Sequence, residues 1–151
     1  MKKIALIILI ILAFFSCKKE KNTEIQEISK QVEVSENQQT FCDDAIIAII
    51  ESSNESIEER EGLLEFIKER GGTSYGYMLE ACPNPKEEYL EKSEYYEFNF
   101  HASYPDRMGV ISRYRFHPIK LILEKYDVVE NSYFKIDFDK ELLNDFENGC
   151  K

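Results

Sequence analysis

The side chains in this chain that could do chemistry are two histidines, four cysteines and a set of tyrosines interleaved with arginine. His101 and His117 invite a metal or acid–base reading, because both fall on the polar side of alternating segments. Pairing those segments puts His117 across from Tyr95, six residues along the strand from His101. That is a separation of about 20 Å at 3.4 Å per residue. One ion cannot hold both, so they read as solvated strand histidines. Cys42, Cys82 and Cys150 lie far apart, with no C-x-x-C or H-x-x-x-H spacing, so no metal is expected. Cys82 stands between Ala81 and Pro83 with no histidine placed nearby to activate it as a nucleophile. The pairs Asp43-Asp44 and Glu58-Glu59 read as helix-start charge. Gly71-Gly72 reads as a helix stop rather than a phosphate loop. No catalytic residue and no cofactor is assigned.

The aromatic residues are the most informative. Most of the nine tyrosines must be core. Tyr95 and Tyr126, if turned outward beside Arg113 and Arg115, would form an amphipathic patch of the aromatic-plus-arginine kind enriched at interface hot spots. These four residues are the candidate binding face. The Pro105-Asp106-Arg107 turn is a second place for contacts.

The elements that would position them follow from periodicity. Thr40 and Asp43 open a helix whose stripe is Cys42, Ala45, Ile46, Ile49 and Ile50. Ser56 and Glu59 form a capping box for a second helix carrying Leu63, Leu64, Phe66 and Ile67. Segment 73–82 alternates like a strand yet also fits one helix face; Gly76 and its aromatic neighbours favour the strand. Pro83 and Pro85 force a turn, and 86–93 reads as a charged connection or short helix. Tyr96, Phe98, Phe100, Ala102 and Tyr104 share one face of a clear strand. Val110, Tyr114 and Phe116 do so on the next, with Ala102 opposite Val110, Asn99 opposite Arg113 and Glu97 paired with Arg115. The run 120–129 has no clean face. Phe134, Ile136 and Phe138 mark a last strand, and Asp139 caps a final helix with Leu142, Leu143 and Phe146. The fold class is therefore α+β: an N-terminal helix pair, an antiparallel three- to four-stranded meander and a short C-terminal helix, with helices on one sheet face. In outline it resembles small exported modules of the cystatin-like and PepSY kind. That topological likeness carries no functional residue across, and the domain resembles no characterised family closely.

Ahead of this domain, Lys2 and Lys3 precede an apolar run from Ile4 to Phe15 and then Ser16-Cys17. The run is short of the ~20 residues a spanning helix needs and matches a secretory signal. Its end, Phe14-Phe15-Ser16-Cys17, resembles the lipobox of bacterial lipoproteins, with Phe14 where leucine is usual. The resemblance implies cleavage before Cys17 and lipidation of that residue. The domain plan is then 1–16 signal peptide, 17–39 lipidated Cys17 and flexible tether, and 40–151 a single α+β domain. As coil, the ~20-residue tether spans about 25 Å.

The formal charge is -10. Losing Lys2 and Lys3 leaves 17 basic against 29 acidic side chains, hence -12. Such a surface disfavours nucleic acid and leaves membrane attachment to the lipid. An envelope protein, a cationic one in particular, is an allowed partner. An exported chain meets an oxidising compartment, which predicts one disulfide. Cys82, at a proline-bounded turn, is assigned to Cys150, because Cys42 has a home in the apolar stripe. Cys42 is the alternative partner. Lys18-Lys19-Glu20-Lys21 does not match the acidic run of surface-exported lipoproteins, so the protein is placed in the cell envelope, anchored by lipid to the outer membrane and facing the periplasm. The predicted function is a lipid-anchored binding or interaction module. A small envelope enzyme, or a structural lipoprotein without a specific ligand, is the alternative.

Overall fold

The structure, a computed structural model, describes residues 42–150. The signal segment, Cys17, the tether and Thr40 lie outside the described residues. Helix α1 (42–51) forms where its apolar stripe predicts, and Ile46, Ile49 and Ile50 are completely buried. Helix α2 (Asn54–Arg60) starts three residues earlier than the capping box implies. Ser53 is its N-cap, its hydroxyl accepting from the Ser56 amide at 3.2 Å. Glu59 is thereby released from a capping role. Gly62, at φ +67, breaks what reads as one long helix, and α3 (Leu63–Glu69) follows. The Gly71 amide bonds to the Lys68 carbonyl and the Gly72 amide to the Ile67 carbonyl, a Schellman stop at the expected glycines.

The strands make a six-stranded sheet, where the sequence predicts a three- to four-stranded meander. Its strands are β1 (Ser74–Cys82), β2 (Glu91–Lys92), β3 (Tyr96–Ser103), β4 (Met108–His117), β5 (Ile122–Asp127) and β6 (Ser132–Ile136). They lie in the order β2-β1-β3-β4-β5-β6, antiparallel except that β2 runs parallel to the end of β1. The ambiguous segment 73–82 is thus a strand. The stretch read as a charged connection contributes the two-residue edge strand β2 after the proline turn. Between β4 and β5 the chain turns through Leu121 at φ +52, which removes one apolar residue from the run 120–129 and leaves Leu123 inward.

The β3–β4 hairpin keeps the predicted register for Glu97, Asn99, Arg113 and Arg115, then departs from it. Past Phe100 opposite Ser112, His101 faces Val110 and Ala102 faces Gly109. One extra residue, Ile111, makes a β-bulge, and a slip of one exchanges faces. Val110 is consequently exposed, while Ile111 packs against the core. The core lies between the sheet and the terminal helices: Phe98, Phe100, Tyr114, Phe116 and Leu123 meet α1, and α4 (Leu143–Gly149) sets Phe146 edge-on to Phe116 at 4.9 Å. A 3-10 turn (Lys140–Leu142), capped by Asp139, leads into α4.

The disulfide joins Cys42 to Cys150, with Cα atoms 4.8 Å apart. The Cys82–Cys150 assignment is corrected. Cys42 does lie on the buried side of α1, but at its first turn, where the end of α4 reaches it. Cys82 is the buried residue with a free thiol, pushed up from its ordinary pKa by burial. After the proline turn the chain returns alongside it, with Lys92 paired to Cys82 and the Ser93 amide bonded to the Cys82 carbonyl at 3.1 Å.

Candidate binding face

The face of the sheet turned away from the helices carries the predicted residues. Strand pairing lines up Glu97, Arg115, Glu124 and Lys135 as one row across β3 to β6, with alternating charge. Within it Arg115 does not pair with Glu97 as expected. Its Nε donates to Glu124 at 2.6 Å, while Glu97 accepts from the Ser93 hydroxyl at 2.5 Å. The Arg115 guanidinium carbon lies 4.2 Å from the Tyr95 ring centre on the β3 side and 3.9 Å from that of Tyr133 on the β6 side. Two rings and a carboxylate therefore fix its plane, which lowers the entropy lost when a partner engages its terminal nitrogens. Arg113 lies 5.7 Å from the Tyr126 ring centre and makes no ion pair with a described residue. Tyr126 is edge-on to Tyr133 at 5.1 Å, and its hydroxyl donates to Asn131. All four predicted residues are thus brought together, with Tyr133 as the member that sequence reasoning missed. Alternation alone places Tyr133 on this face, but only the sheet order shows that it reaches Arg115.

Beside this cluster is a cleft of about 190 Å³, bordered by Glu80, Glu97, Asn99, Arg113 and Tyr133 over a floor at Phe98 and Tyr114. The Asn99 amide donates to Glu80 at 2.8 Å. Burial raises the Tyr133 phenol pKa, and the Glu97 carboxylate adds to the rise.

His101, opposite Val110 on β3, is half-buried with its Nδ1 buried and without a hydrogen-bond partner among the described residues, and His117 is not solvated as expected either. It is buried under Tyr95, ring centres 5.0 Å apart, and its Nδ1 accepts from the amides of Ile119 and Lys120. Asp127 does the same for Val129 and Glu130 in the β5–β6 turn. His117 is therefore a turn cap. The Pro105-Asp106-Arg107 turn folds on itself, with Arg107 paired to Asp106 and over Tyr104.

A second polar cluster lies on the helix side. Glu59 accepts from Ser112 at 2.8 Å and Tyr114 at 2.7 Å, and pairs with Lys125 at 3.2 Å. It pins α2 to β4 and β5. Ser112 gave a sequence signal, since it shares the apolar side of β4 and needs a polar partner there; Lys125 gave none, because the run 120–129 has no clean face. Among the described residues no group of three or more His, Cys, Asp or Glu could hold a metal ion, and no helix is long and apolar enough to cross a membrane.

No protein-family model, no curated protein and no solved structure matches this chain.

Proposed function

We propose that this protein is a lipid-anchored cell-envelope component, attached through Cys17 and facing the periplasm, that binds a partner through the outer face of its sheet. The observation that carries the binding reading is Arg115. Its guanidinium is held by Tyr95, Tyr133 and Glu124, beside an Arg113 with no ion pair among the described residues. A sheet face needing only solubility has no use for a clamped guanidinium, whereas rigid arginine and tyrosine are the side chains that concentrate binding energy. The partner is an envelope protein; the acidic body around the patch favours one with a cationic rim. A pull-down from envelope extracts compares the wild-type chain with R113E/R115E. Partner recovery lost in the variant supports the reading. Equal recovery with an intact variant fold overturns it.

A further inference from the structure

The cleft beside the tyrosine and arginine cluster holds charges of both signs that do not neutralise one another. Glu80 is turned toward Asn99, Glu97 toward Ser93 and Arg113 toward the Tyr126 ring, so neutral partners orient all three charged groups. None of the three forms an ion pair with a described residue. Each carboxylate has its second oxygen without a described hydrogen-bond partner. All three nonetheless border one cleft without closing on one another as ion pairs.

The geometry points to a small zwitterion as the ligand of this cleft, namely a free α-amino acid. Its ammonium would meet the carboxylates of Glu80 and Glu97, and its carboxylate the guanidinium of Arg113. A simple cation is drawn by the two glutamates and repelled by Arg113; a simple anion meets the reverse. Only a ligand carrying both charges gains from every wall. Size agrees, because about 190 Å³ lies below the roughly 300–1,000 Å³ of sites for drug-sized ligands. Asn99 adds an amide to the polar wall, and the Tyr133 ring gives a surface for the amino-acid side chain.

This inference rests on the outer sheet face being a binding face, and its test is separate from partner capture. The common L-amino acids are titrated into the purified full chain by calorimetry with amide-shift mapping. The best of them is then compared with its decarboxylated amine and its deaminated acid. The expected result is saturable binding with shifts at Glu80, Asn99 and Tyr133, and about tenfold weaker binding for either analogue and for E97Q or R113M. Amide spectra of both variants establish that they are folded. An amine or an acid that binds as tightly as the amino acid overturns the inference, as does the absence of any saturable shift. If capture by the wild-type chain is lost in R113E/R115E while no amino acid binds, the cleft inference falls and the binding-face reading stands. If amino acids bind while capture is unaffected, the partner reading falls instead.

Discussion

Glu59 shows how one residue can be assigned the wrong task by local pattern. Three residues after Ser56 it satisfies a capping box, yet Ser53 caps α2 and Glu59 takes Ser112, Tyr114 and Lys125 instead. Glu59 and Lys125 side chains keep only 17% and 18% of their exposure. Glu59→Ala would leave the ammonium and two hydroxyls without their acceptor, and should cost about 2–4 kcal/mol. Urea denaturation checks this, the midpoint falling with the slope unchanged. Tyr77, whose hydroxyl meets that of Ser56 at 2.9 Å, and Tyr114 of this cluster set an alkaline limit. Burial pushes the Tyr77 phenol from 10.0 up to about 12, and burial with the Glu59 hydrogen bond raises Tyr114 as well. A raised phenol pKa stabilises the fold fully below pH 10, its unfolded value, and that contribution fades as pH rises through 12. Stability should therefore fall across that window, and Tyr77→Phe should flatten the fall in pH-dependent urea melts.

At the scale of elements, alternation made β3, β4 and β6 legible, and with them the opposition of Glu97 to Arg115 and Asn99 to Arg113. Register, however, did not fix which ion pair forms, because β5 brings Glu124 to the other side of Arg115 and no local pattern announced that strand's phase. The bulge was equally hidden: Val110 and Ile111 are both β-branched, so composition could not say which of them turns inward. That difference gives a test. Val110→Asp should change stability by less than about 0.5 kcal/mol, and Ile111→Asp should cost roughly 1–3 kcal/mol. Comparable losses at both sites in thermal or urea melts would restore the unbulged hairpin. Arg113 and Arg115 were legible as outward because outward positions repeat every second residue, whereas Tyr126 rides on the strand whose phase was not announced. Tyr133 and the cleft were not legible, since they depend on strands joined across the sheet.

For the whole molecule, the Cys42–Cys150 bond links the first described helix to the last, 108 residues apart. In the chain-entropy model a loop near this length stabilises by about 4.7 kcal/mol, an appreciable share of the stability of a domain of this size. Non-reducing peptide mapping should return that pair, with Cys82 alkylated only after unfolding, and reduction should lower the melting temperature by the same amount in the wild-type chain and in Cys82→Ala. The anchor proposal has its own readout. Intact mass of membrane-extracted protein should show a chain beginning at Cys17 with added diacylglyceryl and acyl groups, and Cys17→Ser should lose them. The central claim is that the outer sheet face, and not the helix side, is where this protein meets its partner. Site-directed photo-crosslinking in intact cells tests it most directly, with the reactive group placed at Tyr126 on that face or at the exposed Phe66 on α3. A discrete adduct from Tyr126 and none from Phe66 is the predicted result; an adduct from Phe66 with none from Tyr126 would contradict the account.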